Sequence, residues 1–287
     1  MIFYEGSITD VAGIQVGHAQ DEEARTGVTV IRYNPGATGA VDVRGAAPAT
    51  QETDLLRPEA SVERVHAVVL CGGSAYGLDA ACGVRIELES QGIGLEVLPN
   101  IRVPIVCAAA LFDLGVGRSD IRPDAAMGRA ACACASGHVT QGQVGAGCGC
   151  TVGKLTSPSL GGVGTASLRL SDGTVVAALA AVNAAGNVYG PDDPISFTEF
   201  SQGFSLNTTL AVVATDAKLT KAQALRLAQC AHDGFARAIS PVHTPIDGDV
   251  AFALSTGTCD TPINMIALCA AAAEVTARAI RNGVYTQ

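Results

Sequence analysis

The chain has 287 residues, 48% of them hydrophobic, no Trp and a formal net charge of −9. That is apolar material enough for one large domain or two intimate halves, and the negative balance argues against a nucleic-acid surface. The opening MIFYEGSITD has neither a basic start nor an apolar core of the export type, and the most apolar stretches, 175–185 and 265–273, fall well short of the ~20 residues that span a bilayer. A cytoplasmic protein with no membrane partner is therefore expected. The ten Cys, without an export signal, read as reduced and buried small hydrophobes. Cys132-Ala-Cys134 and Cys148-Gly-Cys150 leave one residue between paired Cys, where zinc sites ordinarily leave two or more, and no His pair follows. Neither a metal nor a cofactor is expected.

In chain order, short apolar or alternating runs at 28–33 and 67–70 predict strands. A helix is predicted over 76–91, with Leu78, Ala81, Val84, Ile86 and Leu88 at mostly helical spacing and Gly92 closing it. Strands follow at 95–98, 161–170 and 175–182, the last apolar on both faces. Residues 191–205 (PDDPISFTEFSQGFS) read as a polar loop, and 210–214 as a further strand. The next helix, 221–239, opens on the capping box Thr220-Lys-Ala-Gln223 and stops before Pro241. A strand at 250–255 precedes a helix over 262–282, with Thr261 as N-cap, Pro262 at its first position and Gly283 as C′. Two Ala-rich late helices beside a strand apolar on both faces predict sheets sandwiched between helical layers, an α/β architecture.

Some motifs fail on inspection. In Gly147-Cys-Gly-Cys-Thr-Val-Gly153-Lys154 the positions that a phosphate loop needs as Gly and Ser/Thr are Cys148 and Leu155. Gly72-Gly73-Ser74-Ala75-Tyr76 misses the nucleophile elbow because its last Gly is displaced to Gly77. It reads better as a Gly-rich turn capped by Ser74, able to bind an anion or a substrate carboxylate. His243 and Asp247, four apart in an extended and turn-like segment, read as structural before catalytic.

The junction Leu206-Asn207-Thr208-Thr209 carries more. Thr208 heads an apolar strand, and Asp247-Gly248-Asp249 opens another. A Thr hydroxyl is weak unless a base takes its proton. A free α-amino group, with a pKa of about 7.7–8.0, can be that base, but only if Thr208 is the first residue of a chain. Cleavage at Asn207-Thr208 would make it so. Lys154 is an isolated cation in an apolar stretch, and Asn183 a polar residue in Ala-Ala-Val-Asn-Ala-Ala-Gly that needs a partner or a purpose. Asp247 and Asp249, two apart at a strand start, would share a face and hold an ammonium group. Simpler readings stand beside these: a surface lysine, a turn asparagine, and two solvated turn carboxylates.

With these residues in view, the chain resembles the DmpA-type peptidases, family S58, which are self-processing hydrolases. The matching segments are Ile8-Thr-Asp-Val-Ala-Gly-Ile-Gln-Val-Gly-His18, Leu70-Cys-Gly-Gly-Ser-Ala-Tyr-Gly-Leu-Asp79, Leu111-Phe-Asp-Leu-Gly115, Gly149-Cys-Thr-Val-Gly-Lys154, Ala181-Val-Asn183, Asn207-Thr-Thr209, His243-Thr-Pro-Ile-Asp-Gly-Asp249 and Phe252-Ala-Leu-Ser-Thr-Gly257. The resemblance implies a four-layer αββα sandwich like that of N-terminal-nucleophile hydrolases and ornithine acetyltransferases. It implies Thr208 as nucleophile, Lys154 and Asn183 in support, and Asp247 and Asp249 orienting the amine. Ser74 and Tyr76 fall where substrate would bind. One self-processing domain would yield fragments 1–207 and 208–287, assembled as a homo-oligomer, a tetramer of processed protomers.

The Asn-Thr junction looks like the nylon-oligomer (6-aminohexanoate oligomer) hydrolase branch; the β-peptidyl aminopeptidase branch typically has Ser after Gly. The expected activity is amide hydrolysis of short peptides or ω-amino acid oligomers. The alternatives are a β-peptidyl aminopeptidase, an acyltransferase like the ornithine acetyltransferases, whose Ala-Thr-Met-Leu type of junction is absent, and an uncleaved binding or structural protein.

Overall fold

A computed structural model describes residues 3–194 and 207–285. Nine strands form its main sheet: β1 (Gln15–Asp21), β2 (Thr26–Val43), β3 (Ala49–Gln51), β4 (Val65–Cys71), β5 (Val106–Ala110), β6 (Val163–Arg169), β7 (Val175–Ala181), β8 (Leu210–Ala217) and β9 (Val250–Cys259). The spatial order is β6-β7-β8-β9-β2-β4-β5-β3, with β1 also on β2. The 18-residue β2 belongs to two halves. Its first part pairs with β1 and β4, and its last part, Thr38 to Val43, pairs with β9. Between them the register shifts, at the Asn34-Pro35-Gly36 break, where Gly36 takes φ +79.

The two halves face each other, and period-two alternation shows why. Val175, Ala177 and Leu179 of β7, with Val212 and Phe252, pack against Ile31, Val68, Leu70 and Cys107 of the other half. The intervening residues Val176, Ala178 and Ala180 face α3 (Lys221–Ala238) and α4 (Met265–Tyr285). On the far side Val28, Val30, Ala67 and Val69 face α1 (Ala80–Ser90) and α2 (Ala125–Ala133). Helices, sheet, sheet, helices: this is the predicted four-layer αββα sandwich, and a strand apolar on both faces is what an inner layer requires.

Local outcomes differ from the sequence expectations in instructive ways. The helix predicted over 76–91 is a 3₁₀ segment, Ser74–Asp79, followed by α1, and its N-cap is Gly73 at φ +78, not Ser74. The last helix begins at Met265, beyond Thr261 and Pro262, with Asn264 accepting the Ala267 N–H at 3.2 Å. Gly283 lies inside this helix instead of ending it. A Cβ there would sit 2.8 Å from Gly162 O, so the glycine serves close packing of α4 on β6. The unpredicted α2 carries a mid-helix Gly128, which weakens its pattern, though its Asp124 cap accepts the Met127 N–H at 2.8 Å. Residues 95–98 do form a strand, but they pair only with Ile101–Val103 in an exposed hairpin. Strands β1, β3 and β5 were not predicted. Of the Cys residues, all free, Cys82 and Cys134 are exposed instead of buried. No helix among the described residues is long and apolar enough to cross a membrane. Most of the loop predicted at 191–205 lies outside the described residues.

Candidate active site

Parallel pairing of β8 with β9, in register Leu210 to Val250, brings the entries of both strands side by side. The ladder continues past them as a bridge between Asn207 and Asp247. Asn207 N–H donates to Ile246 O at 3.0 Å, and Gly248 N–H donates to Asn207 O at 2.8 Å. The Thr208 hydroxyl also donates to Asn207 O. The carbonyl of the Asn207–Thr208 peptide thus has a backbone N–H on its oxygen and the Thr208 hydroxyl beside it, in a setting where both residues are buried.

Strand β7 runs antiparallel to β8, with Ala181 opposite Leu210, so its exit lies beside the entry of β8. Asn183 stands at that exit, fully buried. Its carbonyl accepts the Thr208 N–H at 3.0 Å. Its Oδ1 accepts from Thr151 N at 3.0 Å and from Lys154 Nζ at 2.8 Å, and its Nδ2 donates to Phe112 O at 2.7 Å. A buried amide so fully engaged is not a turn residue. Lys154 Nζ also reaches Asn183 O at 3.4 Å, the same carbonyl that takes the Thr208 N–H. Burial lowers the Lys154 pKa to about 8, against the opposing pull of Cys150, Asp247 and Asp113. It is a partly buried lysine at the junction, not a surface one.

The two carboxylates are each 2% exposed, which removes the solvated-turn reading. Both precede β9, and they differ in their partners. Asp249 Oδ1 accepts the Thr209 N–H at 2.7 Å, while its Oδ2 accepts from His243 N at 3.1 Å and His243 Nδ1 at 2.8 Å. Asp247 Oδ2 accepts from Thr244 N at 3.0 Å and from the Thr244 hydroxyl. Burial, and then the Asp249 charge, push the Asp247 pKa above the usual carboxylate range. The His-Asp pair weighed from spacing therefore exists with Asp249 as its acid, not Asp247.

Ser74 and Tyr76 stand apart from this cluster. Ser74 donates its backbone N–H to Leu111 O at 2.9 Å, and Tyr76 is 57% exposed under the Arg122 guanidinium, 3.8 Å from the ring centroid. The Gly-rich turn reaches the cluster through a residue that sequence reasoning passed over. Asp113, buried, accepts Gly73 N–H at 2.7 Å and the Thr26 hydroxyl at 2.7 Å, and its neighbour Phe112 holds Asn183 Nδ2. Burial raises the Asp113 pKa. The signal available was an acid inside Ala-Ala-Ala-Leu-Phe-Asp-Leu-Gly, a run too apolar for a solvated carboxylate.

The four-layer sandwich that holds these residues is the fold of a hydrolase class. Residues 6–287 match peptidase family S58, and the chain belongs to that family. Among relatives, an uncharacterized aminopeptidase of Mycobacterium tuberculosis (strain ATCC 25618 / H37Rv) is 44% identical over 97% of this chain and 93% of its own length. The 6-aminohexanoate-oligomer endohydrolase of Kocuria sp. (strain KY2) is 30% identical over 93% of this chain and 82% of its own. Among solved structures, a beta-aminopeptidase of Burkholderia sp. superposes with a TM-score of 0.71 at 24% identity, over 99% of this chain and 87% of that one. The L-aminopeptidase D-Ala-esterase/amidase of Ochrobactrum anthropi, described as a variant of the Ntn-hydrolase fold, does so with a TM-score of 0.75 at 19% identity, over 99% and 87%. The chain is a hydrolase of the peptidase class with that fold.

Proposed function

We propose that this hydrolase cuts itself between Asn207 and Thr208 and then hydrolyses amide bonds of short peptides or ω-amino acid oligomers through a Thr208 acyl-enzyme. The observation that carries this reading is the Asn207 carbonyl, which meets the Thr208 hydroxyl on one side and the Gly248 N–H on its oxygen. In the first step Thr208 Oγ1 attacks the Asn207 carbonyl carbon. Lys154, with a pKa near 8, is neutral often enough to accept the hydroxyl proton. Negative charge develops on Asn207 O, where Gly248 N–H donates. The C–N bond then breaks, the Thr208 nitrogen takes a proton, and an Asn207 ester on Thr208 remains. Water opens the ester, leaving fragments 1–207 and 208–287 of one domain.

The new amine then serves as the base for Thr208 Oγ1 in each later turnover. Asn183 O, which holds the Thr208 N–H before the cut, continues to orient that nitrogen. Asp247 supports its protonated form, and Asp249 fixes the peptide just after it. The substrate class comes from the relatives, one named for 6-aminohexanoate oligomers and the other an aminopeptidase.

The test is intact mass spectrometry on wild type and Thr208→Ala, followed by assays on aminoacyl anilides and 6-aminohexanoate oligomers. Wild type should resolve into two fragments and Thr208→Ala should stay whole and inactive, with Thr208→Ser retaining part of both activities. A Thr208→Ala protein that still splits at this bond, or still turns over, would remove Thr208 from the mechanism.

A further inference from the structure

Asp249 is a buried acid whose three hydrogen-bond donors divide unequally between its oxygens. Oδ1 takes the Thr209 N–H, which belongs to the peptide that joins Thr208 to Thr209. Oδ2 takes two donors from a single residue, the backbone N–H and the ring Nδ1 of His243. We propose that His243 is a positioning residue for hydrolysis: by gripping one Asp249 oxygen twice, it aims the other at the Thr209 N–H and so fixes the orientation of the Thr208 nucleophile. This inference rests on the assignment of Thr208 as nucleophile.

Three further features point the same way. His243 adopts φ +53, a left-handed conformation that few non-glycine residues take, though His and Asn do so more readily than most. Such a backbone is unfavourable and persists where surroundings over-determine it. Here it directs the N–H and the ring of one residue to the same oxygen. The ring is held from behind by α3, with His232 edge-on at 4.8 Å and Phe235 at 5.6 Å between centroids. His232 in turn is anchored through Nε2 to Asp42 O at 3.0 Å on β2, and burial lowers its pKa to about 4, so the wall behind His243 is neutral near pH 7. The charged and titratable groups around the ring are Asp249 in front with Asp247 next to it, His232 behind, and Asp42 and Arg44 beyond it. Because Asp249 accepts on both oxygens, the Nδ1 of His243 is the protonated nitrogen when the ring is neutral. The chain of contacts is therefore continuous: helix α3, the His243 ring, Asp249, the Thr209 amide, Thr208.

A purely structural histidine and a positioning one differ in what rescues them. His243→Leu keeps bulk and removes the ring donor. His243→Asn keeps an N–H donor near the Nδ1 position and tolerates positive φ. The full-length chain carrying each substitution should be assayed for fragment formation by mass spectrometry and for kcat and KM on an aminoacyl anilide, with circular dichroism and thermal melting alongside. His243→Leu should lower kcat by roughly tenfold to a hundredfold, the scale of a small misplacement of reacting groups, with KM changed less than about twofold. His243→Asn should recover most of kcat. If His243→Leu does not accumulate folded, His243→Ser, which also lacks a donor at that distance, replaces it in the comparison. Wild-type kcat in the Leu or Ser variant, or a loss in folded His243→Asn as large as theirs, would overturn the proposal. Thr208→Ala run in parallel separates the two ideas. If it is inactive while His243→Leu is normal, only the positioning role falls; if it is active, the nucleophile assignment falls and this inference with it.

Discussion

Two regions of this molecule match family motifs equally well in sequence and look quite different once folded: the strand entries at Asn207 and Asp247–Asp249, and the Gly-rich turn at 72–79. In the first, the polar groups singled out are buried or half-buried, and each makes hydrogen bonds. Asn183 uses both ends of its amide, and Asp249 accepts three hydrogen bonds. In the second, Tyr76 lies mostly in solvent under Arg122, and Ser74 contributes a backbone N–H to Leu111. Burying charge without partners is costly, and hydrophobic replacements often stabilise a buried polar site. A cluster of the half-buried Lys154 with the buried Asp247 and Asp249 is therefore retained against stability, whereas an exposed tyrosine imposes no such cost. Burial with hydrogen-bonded partners is what separates the strand entries from the exposed turn.

The contrast breaks most readily at Lys154. Lys154→Met should lower amide turnover by roughly a hundredfold or more, as expected for a proton-handling or charge-stabilising group. It should also reveal the stability cost. With a folded pKa of about 8 against an ordinary 10.5, the unfolded state binds more protons between those values. Stability should therefore rise as pH climbs from about 8 to 10.5, and the charged lysine is unfavourable below that window. Denaturant titrations across this range should show a slope in wild type that is absent from the difference curve's mutant arm, Lys154→Met. Equal slopes in the two proteins would mean that Lys154 is not desolvated at the junction, and the buried-versus-exposed distinction would lose its main member.

Gly248 sharpens the same point with a smaller effect. A Cβ there would lie 2.6 Å from both Thr208 Oγ1 and Ala47 O, too close for either to stay in place. Gly248→Ala should shift its N–H away from Asn207 O and slow the proposed self-cleavage by about tenfold or more, the lower end of losing one oxyanion donor. A time course of fragment appearance measures this. Unchanged cleavage in a folded Gly248→Ala protein would leave the Asn207 carbonyl without its assigned donor.

Much of the fold was legible because inner layers leave a plain trace. The run 175–182, apolar at every position, could only be a strand covered on both faces, and the Thr220–Gln223 capping box marked the start of α3 to the residue. What escaped was governed by tertiary contact. Gly283 looked like a helix terminator, but α4 runs through it because close packing on β6 tolerates nothing larger. In the site, the strand entries bring Thr208, Asn183, Asp247 and Asp249 together with Lys154, the residues that the resemblance grouped. The distinct partners of the two acids were not legible, because they depend on how 243–249 bends, and His243 at φ +53 is part of that bend. Asp113 was missed for a related reason: its partners, Thr26 and Gly73, are 87 and 40 residues away in sequence.

The smallest expected effect lies on the exposed side of the comparison. Tyr76 was singled out for substrate binding, and its geometry limits what it can do. The ring is 57% exposed, its contact is the Arg122 guanidinium at 3.8 Å, and the route from its turn to Thr208 passes through Gly73, Asp113, Phe112 and Asn183 backbone and side-chain bonds that do not involve the Tyr76 side chain. An exposed cation–π contact is worth about 0.5–1 kcal/mol, and a surface truncation normally costs no more. Tyr76→Ala should therefore leave self-cleavage at the wild-type rate and melting within a few degrees. Its effect should fall on KM alone, by no more than about fivefold at that energy, with kcat held. The pair of measurements matters more than either one. Self-cleavage involves no external substrate, so a variant that raised KM while cutting itself normally would assign Tyr76 to the substrate's path and keep it out of the nucleophile's surroundings. Slowed self-cleavage in Tyr76→Ala would instead mean that the turn at 72–79 and the strand entries at 207 and 247 act as one site, and that exposure is no guide here to which residues serve the chemistry.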